Sequence, residues 1–279
     1  MKILNWNLFC EGLHDHPVSN IGIYNQRMEA AIVDKLFFLN KINFDVIVDF
    51  GCADGLLLEK ISQLKSNVRL IGYEIDPEEL SICKSRLGDK AFITDDWTQI
   101  SRELDKFKSP ILCLSSVIHE VYSYTDNESA IQRFWKERVF GGDFKYITIR
   151  DMIPSNSISH ELNFSEDVEK VKSNFNLKYI GSFEEIWGKL ESSYQQFVHF
   201  LLKYKYTNNW EREVNENYFP LKLNELKSKI PNQYSVVYEA NFVLPYIQEQ
   251  VSNDFNVTIK HPTHTKMILK NNQFQDETP

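Results

Sequence analysis

The chain has 279 residues, enough for one large domain or a domain carrying an insertion, and its 42% hydrophobic and 13% aromatic content can fill a substantial core. Its 31 basic and 39 acidic residues leave a net charge of -8, which disfavours non-specific binding to nucleic acid or to an anionic membrane, although a local basic groove stays open. No stretch approaches the roughly 18 apolar residues of a membrane span, and the opening "MKILNWNLFCEGLHDHP" lacks the apolar core of a signal peptide. Cys10, Cys52, Cys83 and Cys113 are scattered, with no C-x-x-C pair, so reduced thiols in a cytoplasmic protein are expected rather than zinc or disulfides.

The first elements read as follows. In "IYNQRMEAAIVDKLFFLNKI", Met28, Ile32, Leu36 and Leu39 recur at helical spacing and predict an amphipathic helix that covers the main domain. Alternation then begins: a strand in "FDVIVDF", a helix over Leu56 to Leu64, a strand in "VRLIGYEI", a helix over Pro77 to Leu87, and a short strand in "KAFITD". It continues with a strand in "PILCLSSVI", a helix from about Asn127 to Val139, and a strand in "FKYITIRDM". Strands alternating with helices imply right-handed crossovers and a parallel sheet covered on both faces. Asp76, Pro77 and Glu79 read as a capping box with proline at the first helical position, and Gly88 as the stop; Thr125 and Glu128 read as a second box.

From Ser165 to about Lys229 the pattern turns helical and aromatic. "SEDVEKVKSNF", "SFEEIWGKLESSYQQFVHFLLKYKY" and "EREVNENYFPLKLNELKSKI" predict helices, the last broken near Pro220. Strands return in "YSVVYEANFVL" and "HTKMILKN", with a short helix and turn in "PYIQEQVSNDF" between them. The expected organisation is therefore an N-terminal helical cover (1-42), a sheet domain (43-154 and 232-272) and a helical insertion (155-231).

Three strand ends carry the chemistry. In "VIVDFGCADG" a buried strand runs into a glycine turn and a helix, which puts backbone N–H groups and a helix N-terminus at the sheet's carboxyl edge, where ligands of such sheets bind. Gly51 and Gly55 let the backbone pass close to a ligand. Glu74 follows 19 residues after Gly55, where an acid accepts from both hydroxyls of an adenosine ribose. "ITDDW" closes the next strand, where Asp95 or Asp96 can accept from an adenine amino group and Trp97 can stack beside the ring. A dinucleotide loop would need the middle glycine of G-x-G-x-x-G, yet Cys52 separates Gly51 from Ala53. The buried Asp49 also suits an ammonium better than a diphosphate, which places an NAD-dependent dehydrogenase second.

On "VDFGCADG", "GYEIDP", "TDDW" and "LSSVIHEV", the chain resembles the class I S-adenosylmethionine-dependent methyltransferases, over about residues 45 to 152 and the two strands after 233. That resemblance implies a Rossmann-like α/β sheet, mostly parallel with a late antiparallel strand, and S-adenosyl-L-methionine as cofactor. It places Asp49, Gly51, Cys52, Ala53 and Gly55 around the methionine part, Glu74 and Ile75 at the ribose, and Asp95 or Asp96 with Trp97 at the adenine. Ala53 departs from the family's third glycine. Tyr24 and Arg27 of the N-terminal helix would close over the cofactor, Arg27 on its carboxylate.

Methyl transfer asks the protein to align a nucleophile, exclude water and, where needed, remove a proton. In the resembling fold, the residues after the fourth strand lie beside the methyl group. Ser115 and Ser116 are candidates to touch cofactor or substrate, and His119 is a candidate general base, since its ordinary pKa is about 6.5. Glu120 is expected either to orient His119 or to take the proton itself. Tyr122 and Tyr124 are candidates for the acceptor pocket, as are Arg150 beside Asp151 and Trp187 in the insertion. The stripe Trp187, Tyr194, Phe197, Phe200 fits either a lid face or a helix–helix core. His119-Glu120 begins an H-E-x-x-H zinc motif, but Ser123 stands at the second ligand position; His14/His16 and His261/His264 read as loop histidines, so no metal is expected. The Asn- or Asp-Pro-Pro-aromatic signature of adenine and glutamine amino methylation is absent. The expected function is methyl transfer to a small-molecule acceptor. RNA or protein methylation, or S-adenosylmethionine binding without catalysis, are the alternatives.

Overall fold

The computed structural model describes residues 32–125 and 127–274. Tyr24, Arg27, His14 and His16 lie outside the described residues. Seven strands form a single sheet: β1 (Val46–Phe50), β2 (Arg69–Tyr73), β3 (Ala91–Thr94), β4 (Pro110–Ser115), β5 (Tyr146–Asp151), β6 (Tyr234–Phe242) and β7 (His264–Asn271). Their order is β3-β2-β1-β4-β5-β7-β6, with β7 antiparallel to β5 and to β6 and the other pairs parallel. This is the Rossmann-like, mostly parallel sheet with a late antiparallel strand that the sequence predicts. Because β1, β2, β4 and β5 are parallel, their carboxyl ends share one edge, and the strand order switches side between β1 and β4.

Helices α1 (Ile32–Lys35), α2 (Leu56–Leu64), α3 (Pro77–Leu87), α4 (Trp97–Leu104), α5 (Ile118–Ser123) and α6 (Glu128–Arg133, continued as a π turn over Phe134–Val139) cover the sheet. Alternate strand residues face opposite sides. Val46, Val48 and Phe50 join a core that contains Trp97, Phe134 and Trp135, whereas Ile47 joins Leu58, Ile61 and Phe38 on the other side. Asp49 shares the second face, opposite Cys113 in the register of β1 and β4.

A separate core lies in the helical unit formed by α7 (Ser165–Asn174), α8 (Leu177–Trp187), α9 (Tyr194–Lys203) and α10 (Trp210–Glu213), while α11 (Leu223–Lys229) buries Leu223 and Leu226 in the sheet core with Val46 and Phe50. Phe183, Phe197, Phe200 and Val198 are fully buried in the helical unit's core, and α12 (Pro245–Phe255), although it lies between β6 and β7 in sequence, packs Ile247, Val251 and Phe255 into it. Tyr194, Phe197 and Phe200 are thus core residues of the unit rather than a lid face.

Several local expectations are corrected. The long helix expected over "SFEEIWGKLESSYQQFVHFLLKYKY" is two helices. Gly188 ends α8 at φ +89°, and Ser193 caps α9 by accepting from the Gln196 N–H. Helix α4, which the alternation left out, is short but amphipathic: Trp97, Ile100 and Leu104 recur at helical spacing and are buried. Asn127, not Thr125, caps α6. Asp76 does cap α3 through the N–H groups of Glu78 and Glu79, but Glu79 does not close a box; its Oε2 is buried with no partner among the described residues. No described helix is long and apolar enough to cross a membrane.

One buried lysine braces the part of the helical unit that meets the sheet edge, where Glu216 pairs with Tyr124 and Arg212 with Glu120. Lys203, fully buried at the end of α9, donates to the main-chain carbonyls of Glu213 and Glu216 and sits 3.7 Å over the Tyr218 ring. Burial pushes its pKa down to about 7, against the pull of Glu216 and Glu213. Lys203→Met would keep the aliphatic stem and strip two buried carbonyls of their donor. Urea unfolding should then show a loss of roughly 1–3 kcal/mol. An unchanged midpoint would mean that water replaces the ammonium without cost.

Candidate active site

The loop after β1 is built on left-handed backbone. Gly51, Ala53 and Gly55 adopt φ of +73°, +46° and +81° within five residues. A glycine suits each, and a Cβ would lie 2.7 Å from Val117 Cγ2 at Gly51 and 2.6 Å from Cys83 Sγ at Gly55. Ala53, the departure from the family pattern, carries the strain of an L-residue there. It is held by Glu74, whose Oε2 accepts the Ala53 N–H at 2.8 Å while Oε1 accepts from Ile75 and Asp76 at 2.7 and 2.9 Å. A carboxylate offers about four acceptor positions, so one remains for a ligand hydroxyl. Burial pushes Glu74 up to about 7, against those three N–H groups.

Asp49 is 3% exposed on β1. Burial pushes its carboxyl up to about 7, and Lys35 of α1 pulls against that shift. An acid buried in this way calls for a cation. Cys52 points down from the loop, its sulfur 3.7 Å from that of Cys83; this contact and burial hold the Cys52 thiol well above its usual pKa. The two cysteines, far apart in sequence, are neighbours in space and remain thiols.

At the next edge position the structure separates two residues that the sequence left together. Asp96 caps α4, accepting from Thr98 N, Thr98 Oγ1 and Gln99 Nε2. Asp95 is exposed at the end of β3 and stays available to a ligand. Trp97 does not flank an open site. It is 7% exposed and packs edge-on against Phe50 and Tyr73, ring centres 5.4 and 5.3 Å away.

The end of β4 leads into the most ordered polar cluster. Ser115 Oγ is buried with no partner among the described residues, and Ser116 turns left-handed at φ +60°. His119, on α5 and 4% exposed, shares a 2.7 Å hydrogen bond through Nδ1 with Asp151 Oδ1. Asp151 in turn accepts the N–H groups of Met152 at Oδ1 and Ile118 at Oδ2, both at 2.7 Å. The expected orienting residue, Glu120, instead pairs with Arg212 at 3.0 Å; Asp151 takes the orienting position because the register of β4 and β5 sets it beside the first turn of α5. Arg150 does not pair with Asp151 but donates to Asp34 and Ser116. Burial pulls His119 down, but Asp151, Glu120 and Glu216 outweigh it and hold the imidazole above its usual pKa. Asp151 is held low because His119 and the two N–H groups overcome its burial.

The free edge of the imidazole faces a cavity between the sheet edge and the helical unit. His119, Arg150, Lys35, Glu216, Tyr218 and Tyr246 are among its lining residues. Glu216 Oε2 lies 3.9 Å from His119 Nε2; its Oε1 accepts from Tyr124 at 2.5 Å and Arg212 Nε at 2.7 Å. Burial raises the Glu216 carboxyl, yet Arg212, His119 and Lys203 bring it below its usual value. Tyr124 therefore serves the site by holding Glu216. Tyr122 accepts from the Trp135 indole at 3.0 Å, and Trp187 stacks edge-on to His199 while donating to the Val214 carbonyl, so neither lines the cavity. Glu213, Glu216, Tyr218, Tyr246 and Lys35 escaped the sequence reading, since no motif marks them and they meet only through packing. His261 bonds Ser157, and His264 bonds Thr263 at the cavity's edge.

No protein-family model and no curated protein matches the chain. Among solved structures it is similar to the plantazolicin methyltransferase BamL in complex with triazolic desmethylPZN analog and SAH (12% identity, TM-score 0.47, 90% of this chain and 89% of that one). It is also similar to the pyocyanin biosynthetic protein PhzM (11%, 0.49, 89% and 57%) and to MccD protein (8%, 0.46, 88% and 98%). These three scores fall below 0.5, and the functional reading rests on this chain's own residues.

Two substitutions probe the loop after β1 and the helix packed behind it. Gly55→Ala places a methyl on Cys83 and Leu87 in a left-handed turn and should cost about 1–3 kcal/mol in denaturant unfolding. Burial, followed by Asp54, Glu74 and other acids, pushes Glu79 up to about 8. A folded pKa above the unfolded value favours folding below the unfolded pKa and loses that benefit as pH rises through about 8. Glu79→Gln should therefore raise the melting temperature most at pH 9, with the gain shrinking as pH falls below about 8 and vanishing only below the unfolded value of 4.5. A gain of equal size at pH 9 and pH 6 would point to packing instead.

Proposed function

We propose that this chain is a methyltransferase of the class I, Rossmann-like type, which uses S-adenosylmethionine to methylate a small-molecule acceptor with His119 as general base. The observation that carries the reading is the buried Asp151–His119 pair. It sits at the end of β4, its free nitrogen directed at a cavity, one strand from the left-handed loop that Glu74 holds.

The residues present fit the cofactor. Asp49 is a buried acid suited to the methionine ammonium, Gly51, Ala53 and Gly55 bring backbone close, Glu74 keeps one acceptor position for a ribose hydroxyl, and Asp95 is exposed where the adenine amino group would lie. S-adenosylmethionine supplies an activated methyl group on a sulfonium. The protein's part is to orient and deprotonate the acceptor. With Nδ1–H donated to Asp151, neutral His119 presents Nε2 as a lone-pair acceptor for the acceptor's proton, and the imidazolium that forms is stabilised by Asp151 and Glu216. The helical unit contributes Leu202, Tyr206 and Tyr218 to the cavity wall, which supports an acceptor-binding role for the insertion over residues 155-231. RNA methylation draws no support from the lysine cluster Lys41, Lys65, Lys108 and Lys145, which gathers at the opposite, amino edge of the sheet. Free buried thiols at Cys52, Cys83 and Cys113 suit a reducing compartment such as the cytoplasm.

Calorimetry with S-adenosylhomocysteine tests the cofactor. Binding at pH 8 is expected, and it should weaken as pH falls below about 7, where Asp49 and Glu74 take up protons, by up to about tenfold per pH unit for each carboxylate. No binding would refute the proposal; a flat pH profile would remove Asp49 and Glu74 from the contact. Nitrogen NMR should place the His119 pKa above 6.5 and show it fall in Asp151→Asn. With an acceptor in hand, His119→Ala should lower kcat by roughly 10²–10⁴ while leaving S-adenosylhomocysteine affinity unchanged. Retained turnover would reduce His119 to a packing role, and binding without turnover of any acceptor would favour a cofactor-binding protein.

A further inference from the structure

Arg150 is a buried guanidinium with an unused donor. It is 5% exposed, at the carboxyl end of β5. Nε donates to Asp34 Oδ2 at 2.9 Å and Nη1 to Ser116 Oγ at 3.0 Å, which fixes the plane of the group. Nη2 is buried with no partner among the described residues. Arg150 lines the cavity that His119 faces. A guanidinium N–H taken out of water and left unmet is costly, and such a group at a cavity wall is a place for an anion.

The surrounding charge agrees. Asp34 is shared between Arg150 and Lys266. Lys35 lines the same cavity, and burial, then Arg150, push its pKa down. His264, also on the cavity wall, is held well below its usual pKa by burial and then by Arg150, with His119 and Lys266 acting the same way and Asp151 against them. Asp34 thus answers Arg150 and Lys266, and Asp49 acts on Lys35, which leaves Arg150 Nη2 unmet at the wall. The two acids on the facing wall are engaged: Glu216 with Arg212 and Tyr124, and Glu213 with the Tyr218 hydroxyl.

We infer that Arg150 Nη2, with Lys35 beside it, forms a carboxylate-binding subsite, and that the acceptor is a small carboxylic acid held there while its nucleophilic atom meets His119. The subsite deepens the methyltransferase reading and rests on it for the identity of the occupant. The same chemistry would also hold the carboxylate of the cofactor's methionine part, and the arms of the test separate the two.

The probes are benzoate and acetate, each against its neutral amide, titrated calorimetrically into the protein with and without saturating S-adenosylhomocysteine. The expected result is that at least one acid binds with S-adenosylhomocysteine present, at least tenfold tighter than its amide. Arg150→Gln should erase that preference, Arg150→Lys should restore part of it, and S-adenosylhomocysteine affinity should change by less than about threefold. The wild-type comparison of acid with amide stands even if a variant fails to fold. Absence of acid binding, or equal binding of acid and amide, overturns the subsite. Competition between acid and S-adenosylhomocysteine, with Arg150→Gln losing both, overturns the acceptor assignment and gives the arginine to the cofactor. Arg150-dependent acid binding in a protein that does not bind S-adenosylhomocysteine would leave the subsite standing and remove the methyltransferase.

Discussion

A carboxylate carried out of water must be met by hydrogen-bond donors or by positive charge, and four acids at the carboxyl edge of this sheet impose that demand. Glu74 is met by three backbone N–H groups, one of them from the strained Ala53. Asp151 is met by two N–H groups and an imidazole, and Glu216 by a tyrosine and an arginine. Asp49 is opposed by Lys35, and like that of Glu74 its pKa still rises to about 7. Asp151 and Glu216 fix the imidazole and its surroundings, Glu74 fixes the loop and keeps one acceptor position, and Asp49 keeps a demand for positive charge that a ligand can fill.

The same constraint joins the two cores. Glu216 belongs to the helical unit by sequence but is held at the sheet edge by Tyr124 and Arg212, and its main chain is held by Lys203. Arg212 also reaches Glu120 on α5. A network of buried charge thus couples packing of the aromatic core around Phe197 and Phe200 to the position of the carboxylate 3.9 Å from His119. Changes in the helical unit should reach the cavity through Lys203 and Glu216 rather than through apolar contacts alone.

Cations follow a matching logic on the opposite wall. Arg150 uses two of its donors to brace Asp34 and the left-handed Ser116, which ties α1 to the end of β4. What it holds back, Nη2, is directed by that bracing. A planar guanidinium fixed at two nitrogens presents the third in a set direction, which is how an arginine gains specificity over a lysine at such a place.

Element types, the sheet's carboxyl edge and the left-handed glycine turn after β1 were legible in the sequence because each rests on local physics. Strand period, the proline and glycine that bound α3, and the glycines at Gly51 and Gly55 act over a few residues. The fused helix over α8 and α9 arose where one glycine, Gly188, outweighed the apolar pattern, and the gap at α4 arose because that helix is short. Roles that depend on partners distant in sequence were not legible. That Asp151 rather than Glu120 orients His119 follows from the register of β4 beside β5. That Asp95 rather than Asp96 remains open follows from a helix cap. That Glu216, Tyr218, Lys35 and Arg150 line one cavity follows from a helical unit folding back over the sheet. Spacing along the chain determined where a ligand can bind, since a strand, a turn and a helix are neighbours in sequence. Only the tertiary structure decided which charges face it, because buried charge is settled among whichever donors and acceptors packing brings within hydrogen-bond reach.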